Sequence, residues 1–317
     1  MSNYILDFES PLREVEEKID TLKSTGIKTG MDVSEGIKQL EEQLIQKRKM
    51  IYKNLSRWER VQLARHPKRP YSSDIIIRMA DYWLELHGDR CFSDDPAMVC
   101  GIARLNDLRV MIISQEKGRG TKKKVYHNFG MSRPEGYRKA LRLMKLAEKY
   151  NIPVLTLIDT PGAYPGVGAE QRGQSEAIAK CIEVSLNLKI PTISVIIGEG
   201  GSGGAVAIAT TNKVLMLEHS VYSVISPEGC ASILWKDSKY AEEAAVSMKI
   251  TAQDLKELDI IDSIIAEPVG GAHRNPSETI KNVGNALKTS LKQINSLDKN
   301  ELFNQRKNKY LMTLNKS

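Results

Sequence analysis

Two stretches decide the fold because they read alike: IPVLTLIDTPGAYPGVGAE at 152–170 and IPTISVIIGEGGSGGA at 190–205. In each, an Ile-Pro pair leads into an apolar run, Val154 to Ile158 in the first and Thr192 to Ile197 in the second, before glycine breaks it. Short apolar runs closed by Gly and Pro read as buried strands, and the segments beyond, about Gln171 to Leu186 and Gly204 to Thr211, read as helices. The copies are offset by 38 residues. A repeated strand, glycine-rich turn and helix is the unit of a layered or spiralling α/β fold, and Lys213 to Glu218 continues it with a third strand.

Working outward, Ala97 to Leu105 and Leu108 to Ser114 read as a hairpin turning at Asn106 and Asp107, preceded by a helix over about Asp74 to Leu86. A basic, glycine-bearing loop follows with Lys117, Arg119, Lys122, Lys123 and Lys124, and then a helix from Pro134 to Tyr150 carrying Leu141, Met144 and Leu146. Nearer the start, Ser10 and Pro11 form an N-cap and first-turn pair ahead of Leu12, Val15, Ile19 and Leu22, with a break over Gly26 to Gly30. A second amphipathic helix runs from Ser34 towards Arg65 through Ile37, Leu40, Leu44, Ile51 and Leu55. The spacing therefore predicts a helical hairpin ending in the Pro-punctuated basic linker His66 to Pro70 (1–70), a main α/β domain (71–275) and a helical tail (276–317). The tail is polar, shows Lys281, Lys288 and Lys292 on its face, and reads as a solvated or subunit-contacting appendage.

With 317 residues, 41% hydrophobic and 27% charged, the chain sits among globular proteins and away from disordered or collagenous ones. No run approaches a membrane span, and Met1 to Glu9 lacks the basic-then-apolar layout of a signal peptide, so a cytoplasmic protein is expected. Cys91, Cys100, Cys181 and Cys230 form no C-x-x-C pair, and the five histidines form no H-x-x-x-H pair, so no metal site is expected. A net charge of +7 favours a polyanionic partner, nucleic acid or a phosphate-bearing cofactor. The basic loop lacks interleaved aromatics, so cofactor phosphates suit Lys117, Arg119, Lys122 and Lys123 better than RNA does.

Five glycines in the seven positions 198–204 are too many for a simple bend. They let backbone approach a ligand at a helix N-terminus, where unpaired N–H groups favour an anion or a developing oxyanion. Three chemistries compete for this turn. Gly198, Gly200 and Gly203 satisfy G-x-G-x-x-G, with Glu218 closing the next strand, although the intervening helix is short for a dinucleotide crossover. Gly200, Ser202 and Gly204 satisfy the G-x-S-x-G elbow of a serine hydrolase, with Asp262 and His273 downstream in the right order. The third reading uses only the N–H groups of Gly203 and Gly204. The first copy, Asp159 to Glu170, would then stand beside the turn as a rigid wall, leaving a flat slot for a ring or an acyl group.

Taken together, these residues resemble one family. Gly118 within Glu116 to Arg119, Asn128 to Met131, Pro134 to Ala140, Asp159 to Glu170, Gly198 to Ala205 and Ser226 to Trp235 are similar to the carboxyltransferase alpha subunits of bacterial and plastid acetyl-CoA carboxylases. The similarity runs from near Ser10 to about Pro276, with Cys100-Gly101 standing where that family shows Gly-Gly. The resemblance implies a crotonase-like ββα spiral with an N-terminal helical hairpin and a C-terminal helical tail. It implies an α2β2 enzyme that moves a carboxyl group from carboxybiotin, on a biotin carboxyl carrier protein, to acetyl-CoA to give malonyl-CoA. A biotin carboxylase belongs to the wider complex, and zinc is expected only on the beta subunit. By the same resemblance Gly203 and Gly204 hold the biotin ureido oxygen, while Gly162, Ala163, Tyr164, Gly166, Gly200 and Gly201 line the biotin and acyl slot.

Overall fold

The computed structural model describes residues 6–313; Met1 to Ile5, part of the stretch read against a signal peptide, and 314–317 lie outside them. In chain order the helices α1 (Ser10–Thr29), α2 (Ser34–Lys53), α3 (Arg57–Ala64) and α4 (Ser72–Met79) precede strands β1 (Tyr82–Glu85), β2 (Met98–Leu105) and β3 (Leu108–Gln115). Then come α5 (Gly120–Tyr126), α6 (Pro134–Lys149), β4 (Val154–Thr160), α7 (Val167–Gln171), α8 (Gln174–Asn187), β5 (Thr192–Gly201), α9 (Ser202–Ala209), β6 (Lys213–Leu217) and β7 (Val221–Ser223). Helices α10 (Pro227–Leu234), α11 (Ala241–Met248) and α12 (Ala252–Glu257), strand β8 (Ser263–Ile265), and helices α13 (Pro276–Ile294) and α14 (Lys299–Thr313) complete the chain.

The strands form one sheet in the order β1-β2-β3-β4-β5-β6-β8, with β7 pairing the far end of β5. An antiparallel hairpin opens it, and every pairing from β3 onward is parallel. Parallel strands covered on both faces need continuous apolar runs, and all seven residues of β4 are buried. One face packs against α6, α8 and α9 through Tyr137, Leu143, Cys181, Ala205 and Ile208, and the other against α4 and α13 through Ile75, Ile76, Val283 and Leu287.

Several expectations from sequence change. Ser10 is the first residue of α1 and not its cap; Glu9 holds that position and is buried, accepting a hydrogen bond from Tyr52 Oη at 2.9 Å. The second helix does not reach Arg65, because Ser56 and Glu59 form a capping box that starts α3 afresh. The expected helix over Asp74 to Leu86 ends at Met79, and the edge strand β1 follows, paired with β2 from Tyr82 opposite Arg104 to Glu85 opposite Gly101.

The His66 to Pro70 stretch is threaded into the body. Arg69, 2% exposed, forks onto Glu267 at 2.7 and 2.9 Å and donates to the Ile197 carbonyl at 3.0 Å. Nor is the tail an appendage: α13 buries Ile280, Val283, Leu287, Leu291 and Ile294 on the sheet. At roughly 1.5–3 kcal/mol for each buried aliphatic side chain, that layer rivals the net stability of a typical domain.

Candidate active site at the ends of β4 and β5

The two copies lie side by side. Val154 stands opposite Thr192 and Ile158 opposite Ile196, repeating the 38-residue offset of the sequence, before a shift puts Thr160 opposite Gly200. Both loops therefore leave the sheet at one edge. A Cβ at Gly201 would sit 2.2 Å from the Pro161 carbonyl oxygen, and one at Gly204 would sit 2.7 Å from the Gly162 carbonyl carbon. Only glycine permits that approach of backbone to backbone.

Strand β5 stays extended to Gly201, and α9 begins at Ser202 with no loop between and no side chain capping it. The first-turn N–H groups of Gly203 and Gly204 thus have no intrahelical acceptor and sit at the positive end of the helix. Gly204 is buried and Gly203 half-buried, and the Gly204 carbonyl accepts from Gln115 Nε2 at 2.7 Å. Facing them, the first loop is pinned: Thr160 Oγ1 donates to the Gly162 carbonyl at 2.7 Å, and the Tyr164 N–H donates to the Ser132 carbonyl at 3.0 Å. The Arg133 guanidinium lies 5.0 Å from the Tyr164 ring centroid, and Gly162, Ala163, Tyr164 and Gly166 form a half-buried wall.

Beneath the turn lies an ionic cluster that the sequence reading did not identify. Lys117 Nζ pairs with Asp159 at 2.7 Å and Glu199 at 2.6 Å, and Arg65, just past α3, pairs with Glu199 at 2.6 Å and Glu228 at 2.5 Å. Asp159 also accepts the Glu199 N–H at 3.0 Å. Burial alone would push Glu199 up, yet Lys117 and Arg65 outweigh it and bring the carboxyl to about 2. Burial pushes the Lys117 ammonium down, but Asp159 and Glu199 hold it above the ordinary lysine range. The available signal was an acid at the same end of both repeated strands.

The basic loop divides. Lys117 is committed to its two carboxylates, and Arg119 pairs with Asp74 at 2.8 Å over the Tyr71 ring, whereas Lys122 and Lys123 lie exposed on α5. The hydrolase constellation does not assemble. Ser202 has the elbow's positive φ of 52°, but Asp262 bonds the Val214 N–H and Lys309, and His273 stacks on His66 near Glu9. Among the described residues, neither Asp262 nor His273 is hydrogen-bonded to Ser202.

The family model described as acetyl co-enzyme A carboxylase carboxyltransferase-like matches residues 5–313. The chain belongs to this carboxyltransferase family. It is 55% identical over 305 residues to the acetyl-coenzyme A carboxylase carboxyl transferase subunit alpha of Blochmanniella pennsylvanica, covering 95% of this chain and 96% of that protein. To the subunit alpha of Agrobacterium fabrum it is 53% identical over 312 residues, covering 98% of each. Among solved structures, transcarboxylase 12S aligns with a TM-score of 0.56 at 20% identity over 71% of this carboxyltransferase and 42% of that chain. The beta subunit of Pseudomonas aeruginosa geranyl-CoA carboxylase aligns with a TM-score of 0.55 at 20% identity, over 74% and 44% of the two chains. These distant likenesses show the crotonase-like fold. The carboxyltransferase is a transferase, and neither the hydrolase nor the RNA-binding alternative is favoured.

Proposed function

We propose that this chain is the alpha half of an α2β2 carboxyltransferase that moves the carboxyl group of carboxybiotin, borne on a biotin carboxyl carrier protein, to acetyl-CoA. The product is malonyl-CoA, the first committed intermediate of fatty acid synthesis. One observation carries the reading: uncapped N–H groups at the start of α9 face a wall built without acids or bases. Bound there, carboxybiotin supplies the carboxyl group, a ureido oxygen that gains negative charge and a ring nitrogen that takes the substrate proton.

The chain then needs to supply only binding and charge stabilisation. Gly203 and Gly204 would hold the ureido oxygen through their N–H groups, which suit an acceptor gaining negative charge; one such donor is typically worth about 2.7–4 kcal/mol of barrier. Gly162, Ala163, Tyr164, Gly166, Gly200 and Gly201 line the slot and exclude water from it. No protein general base is required, in keeping with a turn rich in glycine. The beta subunit is proposed to hold the thioester oxygen, the zinc and most of the CoA surface, with biotin carboxylase in the wider complex. Of the four residues expected to meet substrate phosphates, Lys117 and Arg119 are paired with carboxylates, which leaves that role to Lys122 and Lys123.

Among the described residues no helix is long and apolar enough to cross a membrane, and we place the enzyme in the cytoplasm. The boundaries we propose lie at residues 70 and 275, between the N-terminal helical hairpin with its linker, the α/β domain and the C-terminal helical tail, and all three parts pack together. The test is malonyl-CoA-dependent carboxylation of free biotin, run in reverse. Activity is expected only when this chain is mixed with a purified beta subunit; activity of this chain alone would overturn the shared site.

A further inference from the structure

On the opposite face of the sheet from α9, a trough of about 830 Å³ runs between α13, the end of α4 and the β2–β3 turn. We propose that it binds a free single-chain anionic amphiphile, an alkyl chain ending in a carboxylate or phosphate. The floor is apolar: Met79, Leu105 and Leu108 are half-buried, and Leu287 and Leu291 close it from α13. Gly284 is among the lining residues, and an added Cβ there would meet only the Met79 side chain, Sδ at 3.7 Å and Cγ at 4.0 Å, so the helix surface is open to the trough.

The rim has the opposite character. Arg78, Lys281, Lys288 and Lys292 line it, and Asp107 is its one acidic residue. The three lysines are exposed, and among the described residues no ion pair engages them. Lys281 and Lys288 are two helical turns apart and Lys292 one turn further, so their charges follow the long axis for roughly 16 Å. Arg78 is fixed at one end by its hydrogen bond to Ser277 Oγ at 2.6 Å.

An apolar floor alone selects any oily ligand, and a basic rim alone selects any anion. Together they require a tail and a negative head in one molecule, and the volume suits a small molecule. The sequence singled out these lysines, and the carboxyl-transfer site at the ends of β4 and β5 makes no use of them. The inference is therefore independent of that site.

The test titrates the full chain with dansyl-undecanoate, a fluorescent fatty carboxylate, beside its methyl ester, inorganic phosphate and phosphatidylglycerol vesicles. The acid is expected to bind and the ester much more weakly. Lys281→Gln with Lys288→Gln should weaken the acid about tenfold. Gly284→Phe, which fills the trough and leaves the charges, should abolish binding. Circular dichroism and unchanged carboxyl transfer without amphiphile would show that the variants fold. Equal binding of the ester overturns the anionic head, and displacement by phosphate at matched concentration overturns the tail. Binding undiminished in both variants puts the probe elsewhere, and vesicle association lost in the same variants makes the face a membrane surface; each overturns the proposal.

Discussion

The two copies of strand, turn and helix share a register and end differently. The first leaves β4 through Pro161 to Gly166 before the short α7 and a second start at Gln174, whereas the second passes from β5 into α9 without a loop. In the first copy polar groups are consumed locally. Thr160 and Gly162 bond each other, Tyr164 bonds Ser132 through its N–H and Gln174 through its carbonyl, and Pro161 and Pro165 have no N–H to offer. In the second copy the first-turn donors have no side-chain cap. One copy is thus a wall and the other a donor, and the acids at their two strand ends, Asp159 and Glu199, are held to one lysine.

That shared lysine gives the most severe way to break the pairing. Lys117→Met removes the cation between Asp159 and Glu199 and leaves Asp159 buried without it. Unpairing buried charges of this kind costs about 3–5 kcal/mol. Urea unfolding should show the loss as a lower midpoint at unchanged slope, with carboxyl transfer falling as well. A shift below about 1 kcal/mol, the value of a surface pair, would mean that backbone packing alone holds the two ends together.

Neighbouring glycines sharpen the comparison at smaller cost. Gly204→Ala drives a methyl into the Gly162 backbone and should cost about 1–3 kcal/mol as an overpacked contact, together with most of the activity. At Gly203 the nearest atom to an added Cβ is Ile178 Cγ2 at 3.7 Å, an ordinary contact. Gly203→Ala should leave thermal stability within about 0.5 kcal/mol, as an unstrained substitution does. Equal melting temperatures for the two variants would show that the wall does not press on the donor turn.

Legibility in the sequence follows the range of the interactions. Val154 to Ile158 and Thr192 to Ile197 declared themselves because a strand buried on both faces has no polar side to disguise it. The turn at Gly198 to Gly204 was readable for the same local reason, and so was the placement of both loops at one edge. Tyr82 to Glu85 was not: its pairing partner begins beyond a twelve-residue connection (86–97), and as an edge strand it keeps Tyr82 and Leu84 exposed. In the tail, three lysines drew attention from the stripe of Ile280, Val283, Leu287, Leu291 and Ile294, whose partners lie on distant strands. Lys117 looked like one more charge in a basic run. Its carboxylates come from β4 and β5, and its role exists only once those strands are adjacent.

Ser202 is the finest test, because it sits at the junction where the second copy departs from the first. Its φ of 52° belongs to the left-handed region, which costs an L-residue about 1–2 kcal/mol and costs glycine little. Ser202→Gly should therefore change stability by no more than about 1 kcal/mol, the relief of strain being offset by the greater chain freedom of an unfolded glycine. Ser202→Ala keeps the Cβ and the strain while removing only the hydroxyl. If the turn acts through its backbone, kcat/KM for malonyl-CoA should stay within about threefold of the parent, well under the 1.36 kcal/mol that a tenfold change represents. A loss of about a hundredfold or more in Ala with normal folding would bring the hydroxyl into the chemistry. The difference between the copies would then rest on a side chain, and the amides of Gly203 and Gly204 would no longer suffice to explain it.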